Sequence, residues 1–305
     1  MTLSLRHLRY FVAVAEAGQL SRAGLELNVS QSALTSAIKH LEQQLGTRLF
    51  DRHPNGVKLT YEGTWFLQHA RSIVASINEA MRVPSAVASK LQGQVRVGVT
   101  YTVAGYFLPQ HHARFSRSYP GVTIELREAP RPVIEEDLIA GRLDLAVLLT
   151  SNLENRDDIE HETLIRSRRR LWLAVDHPMT RMSEIRLEHV AQEPYVMLTV
   201  DEASQTAERY WAPTPYRPRV IFRTSSVEAV RSMVANGTGV TILSDMVYRP
   251  LSLEGQRIET RTVDSVPSMD VGLAWCRHGE LSPAARAFHN FLSLTFNGGG
   301  PGFTN

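Results

Sequence analysis

The sequence predicts an α/β protein with an all-α winged helix-turn-helix at its N-terminal end. Three observations carry this reading. Apolar residues recur every three or four positions from Leu5 to about Leu45, the period of amphipathic helices. A short basic hairpin pattern follows around Pro54-Asn55-Gly56. From Val95 onward short apolar runs alternate with helical stretches, the pattern of βαβ units on a parallel sheet.

The elements follow in order. Leu5, Leu8, Phe11, Val12 and Ala15 share one face of a first helix that Gly18 ends. Leu20 to Leu27 is a second, short helix, and Asn28-Val29 is a tight turn. Ser30 is placed to cap a third helix, with Ala33, Leu34, Ala37, Ile38, Leu41 and Leu45 inward. Leu49-Phe50 and Val57 to Leu59 are the two arms of the hairpin. A long helix starts near Tyr61, Pro84 should stop or kink it, and residues 85–94 read as a linker or a broken continuation of it. Strands are expected at Val95–Val99, Val122–Leu126 and Leu143–Leu149, with helices at Gly105–Arg117 and Val133–Ala140. The alternation resumes at Leu171 and runs to Pro283–Leu294. The glycine-rich tail, 298–305, should be disordered.

Composition narrows the class. The 305 residues suit two or three domains, and 43% hydrophobic with 21% charged residues is enough to fill ordinary cores. A net charge of +2 permits a local basic patch on a balanced body, rather than a protein coated in nucleic acid. The single cysteine, Cys276, excludes an intrachain disulfide and fits a reducing cytoplasm. The N-terminal residues do not read as a signal peptide, and no stretch approaches a membrane span, so no membrane partner is expected.

Two helices joined by a tight turn form a helix-turn-helix, whose second helix lies in the major groove of double-stranded DNA. Its exposed positions are Gln31, Ser32, Thr35 and Ser36, with Lys39 one turn on. Gln can pair with adenine through two bonds, Ser and Thr can meet several bases, and Lys39 can reach phosphate. Polar residues on such a helix could equally be solvated only. The basic hairpin tips the balance: Arg48, Arg52, His53 and Lys58 cluster as a wing over a phosphate backbone requires.

The run from Leu8 to Gly18, the run Val29-Ser30-Gln31-Ser32-Ala33-Leu34-Thr35, the run from Leu41 to Arg52 and the close Leu59-Thr60-Tyr61-Glu62-Gly63 resemble the signature of LysR-type transcriptional regulators. The resemblance is nearly continuous over residues 5–63 and weaker behind. It implies a linker helix and then a two-lobed domain like a periplasmic solute-binding protein. It implies base and phosphate contacts at Gln31, Ser32, Thr35, Ser36 and Arg52, and assembly into homodimers or homotetramers. Ser32 departs from the family's frequent proline, Gly24 from its alanine, and Ser36-Ala37 from a common Arg-Gln pair. The domains expected are 1–62 for DNA, 63–92 for the linker or dimerisation helix and 93–297 for an effector. Lobe I would take 93–163 and 268–297, and lobe II 164–267.

Ligands in open α/β sheets sit beyond the carboxyl ends of strands, near helix N-termini that favour anions. Thr100, Tyr101 and Thr102 follow the first strand of the rear part, and Thr224, Ser225 and Ser226 follow Val220–Phe222. Ala129 and Thr199 complete the strand ends. These hydroxyls are read either as helix caps or as contacts to a small organic anion.

No cofactor and no catalytic site are expected. Asn236-Gly237-Thr238-Gly239 follows a helix, the reverse of a dinucleotide loop. His111-His112 cannot share a metal through one helix face. There is no Gly-x-Ser-x-Gly elbow. Cys276 reads as an inert core thiol, and Arg166 to Arg170 as a solvated edge.

Overall fold

The computed structural model describes residues 4–27, 29–53, 56–82 and 91–297. The expected turn residue Asn28, the hairpin tip Pro54-Asn55, the stop at Pro84 and the tail 298–305 lie outside them. The chain divides into two compact units, one within residues 1–87 and one within 88–298.

The N-terminal unit opens with α1 (Leu5–Ala17), α2 (Leu20–Leu27) and α3 (Gln31–Leu45). The short strands β1 (Phe50–His53) and β2 (Gly56–Leu59) pair antiparallel, and α4 (Tyr61–Arg82) follows. Phe11, Val14, Leu34, Leu41 and Leu49 are fully buried together, each worth roughly 1.5–3 kcal/mol of apolar burial. Ala33 and Leu45 are exposed instead, because Leu34, Ala37, Ile38 and Leu41 already fill the inward stripe of α3. The wing is fastened to the helices at three points. The Glu42 carboxylate accepts from the Leu49 N–H at 2.8 Å and the Phe50 N–H at 3.2 Å. Gly56, at φ 134°, lets Val57 donate to the Gly18 carbonyl at 2.9 Å, where a side chain would collide. Gly63 brings α4 so close that a Cβ there would lie 2.0 Å from the Leu49 carbonyl oxygen. Gly24 is also more than a weak helix former: a Cβ there would lie 2.8 Å from the Val29 carbonyl oxygen.

The C-terminal unit runs, in chain order, through β3 (Gly93–Val99), α5 (Tyr101–Tyr106), α6 (Leu108–Ser118), β4 (Val122–Glu128), α7 (Arg131–Ile139), β5 (Leu145–Leu149) and β6 (Ile159–Ser167). It continues with β7 (Arg169–Ala174), α8 (Leu187–Ala191), β8 (Pro194–Leu198), α9 (Ala203–Trp211), β9 (Arg219–Thr224), α10 (Val227–Ala235) and β10 (Thr241–Ser244). It closes with β11 (Ile258–Arg261), β12 (Met269–Cys276) and α11 (Pro283–Asn297). Lobe I is built on a five-stranded sheet of order β4-β3-β5-β12-β6, parallel except at β12. Lobe II holds an antiparallel sheet, β10-β7-β11, and a parallel pair, β8-β9, linked by a bridge from Tyr195 to Val240.

The structure also corrects the sequence reading around the crossing between the lobes and at two strands. Two strands, β6 and β11, escaped notice because charged and polar residues fill most of their positions. The first crossing between lobes lies at Arg168 rather than 163/164, since β6 stays paired with β12 as far as Ser167 opposite Met269. The run Arg166 to Arg170 is therefore a solvated edge only at Arg166 and Arg168, which are exposed. It passes from one sheet to the other, with Ser167 buried and Arg169 and Arg170 half-buried. The Ser167 hydroxyl accepts from the Ser244 hydroxyl at 2.7 Å, and Arg170 pairs with Asp245.

Candidate DNA interface and ligand cleft

The N-terminal end of α3 is a polar, exposed edge. Ser30 caps it, its Oγ accepting from the Ala33 N–H at 3.2 Å. Gln31, Ser32, Ser36 and Lys39 are exposed, opposite the buried Leu34, Ile38 and Leu41. Thr35 is half-buried and its hydroxyl donates to the Gln31 carbonyl at 2.8 Å, leaving its methyl as the free surface. The Ser32 hydroxyl lies 3.0 Å from that of Ser30. In the wing, His53 and Lys58 are exposed on β1 and β2, and the Arg52 backbone pairs with Val57.

The long helix α4 has two apolar faces. Phe66, Leu67, Ala70 and Val74 pack into the core of the N-terminal unit. Trp65 and Ile73 remain 58% and 41% exposed, with the His69 ring 4.1 Å from the Trp65 ring between them.

In the C-terminal unit a narrow cleft with a free volume of about 40 Å³ lies between the lobes. Lobe I contributes Thr102, Leu149 and Met269, and lobe II most of the rest, including Tyr195, Met197 and Tyr210. One cation, Arg169, and one carboxylate, Asp201, stand in its wall. Arg169 opens β7, and its Nη1 donates to the Pro267 carbonyl at 2.8 Å and the Ser268 carbonyl at 2.6 Å. The same guanidinium thus fastens the second crossing. Burial lowers its pKa from the usual arginine value, opposed by Tyr210, Asp270 and Tyr195.

Asp201 reaches across the cleft. Its Oδ2 accepts from the Thr102 N–H at 2.6 Å, and its carbonyl accepts from Asn152 Nδ2 at 3.1 Å. Glu202 accepts from the same Nδ2 at 3.2 Å and lies 3.5 Å from Arg131 Nε. Burial raises the Glu202 pKa, opposed by Arg131. Asp201 and Glu202 hold φ of 51° and 55°, a left-handed backbone that costs about 1–3 kcal/mol per residue and persists only where contacts impose it. On the other flank the Tyr106 hydroxyl donates to Glu228 at 3.1 Å.

Of the residues named from sequence for the ligand, the cleft wall contains Thr102. Thr100 is buried, 1% exposed, and its hydroxyl has no partner among the described residues. Tyr101 packs against a lobe II cluster with Trp172, and Ala129 against a lobe I cluster. Thr199 donates its N–H to the Thr224 carbonyl at 2.9 Å. Thr224 Oγ1 accepts from the Ser226 N–H and Ser226 Oγ from the Ala229 N–H, both at 3.1 Å, so Ser226 caps α10. Ser225 is exposed. Sequence reasoning missed Arg169 and Asp201. The first was hidden in a charge run, and the second follows a strand end without any motif.

The other features set aside from sequence are placed as follows. His111 is buried among Phe107 and Phe296, and burial, with Arg114 nearby, lowers its pKa to about 4. Cys276 is half-buried at the end of β12 rather than in the core. Among the described residues no cluster of side chains is placed to hold a metal ion, and no helix is long and apolar enough to cross a membrane.

A winged helix-turn-helix and a two-lobed domain with a cleft define a ligand-responsive DNA-binding regulator. Residues 5–64 match the bacterial regulatory helix-turn-helix proteins of the LysR family, and residues 88–296 match the LysR substrate binding domain. The chain belongs to the LysR family of transcriptional regulators, with a DNA-binding helix-turn-helix followed by a substrate binding domain. It is 31% identical to the HTH-type transcriptional regulator YnfL of Escherichia coli over 96% of this chain and 98% of that one. It is 30% identical to the RuBisCO operon transcriptional regulator of Allochromatium vinosum, over 96% of each chain. The crystal structure of HinK, a LysR family regulator from Pseudomonas aeruginosa, superposes with a TM-score of 0.60 at 27% identity, covering 95% of this chain and 97% of that one.

Proposed function

We propose that this regulator reads its operator with Gln31, Ser32, Ser36 and the Thr35 methyl, while Lys39, Arg52, His53 and Lys58 engage the flanking phosphates. The observation that carries this is the exposed polar edge of α3, set directly opposite its buried stripe. Base edges in the major groove offer matching donors, acceptors and thymine methyls. Homodimers or homotetramers, joined in part through the Trp65–Ile73 face of α4, would demand a roughly palindromic operator. The protein works in the cytoplasm, where the DNA is, and signals without catalysing a reaction. The cleft walled by Arg169, Asp201 and Thr102 is its effector seat, and lobe orientation is what the effector biases.

Two experiments test this. Selection of duplexes from a random pool by the full chain should return a two-fold symmetric consensus. An unselected or asymmetric pool would refute the dimeric reading mode. A library of small metabolites screened by thermal shift should yield a compound that raises the melting temperature by mass action. Thr206→Trp, which fills the cleft from a half-buried wall position, should abolish that shift. A shift that survives Thr206→Trp, or no shift from any compound, would remove the cleft from this account.

A further inference from the structure

The charges in the cleft specify more than its location, and the inference drawn from them rests on the cleft being the effector seat. Arg169 spends the two hydrogens of Nη1 on the carbonyls of Pro267 and Ser268. Its Nη2 and Nε have no protein acceptor among the described residues. Asp201 spends Oδ2 on the Thr102 N–H, and its Oδ1 has no protein donor among the described residues. The two groups form no ion pair with each other, although both stand in the wall of the same cleft. Much of the remaining wall is apolar or aromatic, with Leu149, Tyr195, Met197 and Met269 prominent. Asp270 offsets part of the cost of burying Arg169, and the unspent N–H groups remain to be met by a hydrogen-bonded partner of opposite sign.

The Asp201 contact also changes what the N-terminal turn of α5 can accept. A carboxylate from the opposite lobe already takes the N–H that an anionic ligand would seek there. A second anion at this point would face Asp201 at close range. A cation would instead find the unspent Oδ1. At Arg169 the requirement is reversed, since the free N–H groups call for an anion.

We propose that the cleft selects a zwitterion with an apolar body, its carboxylate on Arg169 and its ammonium on Asp201, in preference to the matching monoacid or diacid. Charge-assisted hydrogen bonds at both ends supply the selectivity. The apolar body lies against Met197 and Leu149, the lobes parting to admit it.

Calorimetry on the full chain with two matched sets tests this. One set is 6-aminohexanoate, hexanoate and adipate. The other is L-phenylalanine, 3-phenylpropanoate and benzylmalonate. In at least one set the zwitterion should bind about tenfold or more tightly than its monoacid, with the diacid weakest. Asp201→Asn keeps an oxygen for the Thr102 N–H but removes the charge. It should shrink the zwitterion's advantage to near unity and relieve the penalty on the diacid. Arg169→Lys should retain measurable binding of the zwitterion, and Arg169→Gln should lose it. A monoacid or diacid that outbinds its zwitterion in both sets overturns the proposal, as does an advantage unchanged by Asp201→Asn. If none of the six binds while a library compound still shifts the melting temperature through the cleft, the charge assignment fails and the effector seat stands.

Discussion

The exposed edge of α3 and the cleft between the lobes solve opposite problems. On α3 the proposed recognition groups are close in sequence, mostly exposed, and held by the helix alone, with Ser30 as its cap. In the cleft they come from segments far apart, Thr102, Arg169 and Asp201, and are held by contacts across lobes and crossings. A surface that reads DNA keeps its polar groups free for a partner. A seat for a small molecule encloses a few charges and engages each only in part. Substitutions on α3 should therefore act locally, whereas those in the C-terminal unit should also alter stability.

The largest effect should come from the apolar face of α4 that the N-terminal unit leaves uncovered. Trp65→Asp with Ile73→Asp should give monomers in sedimentation. It should weaken binding to selected DNA by on the order of 100-fold or more, because two linked heads gain that much from effective concentration. A double variant that stays assembled would show that this face is not the contact. Next comes an acid-sensitive core. His111 is held near 4, below the ordinary 6.5, so the unfolded chain binds the extra proton between those values. Its contribution is whole above pH 6.5 and falls as the pH drops toward 4, by roughly 3 kcal/mol at the extreme. Calorimetric melting of His111→Leu should show a shallower acid slope than wild type. An equal slope would place the sensitivity elsewhere.

The smaller effects sharpen the contrast on α3. Gln31→Ala should cost about 1–3 kcal/mol on selected DNA and almost nothing on random DNA. Equal losses on both would make Gln31 a backbone contact. Thr35→Val should change specific binding by no more than about 0.5 kcal/mol, since the hydroxyl is already given to the Gln31 carbonyl and the methyl is kept. Fluorescence anisotropy on the two duplex pools measures both variants.

What the sequence disclosed follows the same division. The front half was legible because its signals are local: the 3.6-residue period of α1 to α3, the cap at Ser30 and the basic hairpin. The strand and helix alternation behind it was legible for the same reason, except at β6 and β11. There, residues such as Glu160, Glu162 and Glu259 mask the strand pattern. Of the eight residues expected around a ligand, Thr102 stands in the cleft wall. The charges that define it were not visible, because Arg169 becomes a cleft residue only when β6 and β7 are split between two sheets. Likewise, no local pattern indicates that Asp201 will reach Thr102, ninety-nine residues away in the chain.

The central claim is that the cleft and the recognition helix form one switch. Titration of the full chain with the compound found by thermal shift, with and without the selected duplex, tests it most directly. The effector should change DNA affinity by about 5- to 150-fold, and by linkage the duplex should change effector affinity by the same factor. A compound that binds the cleft yet leaves both affinities unchanged would contradict the account.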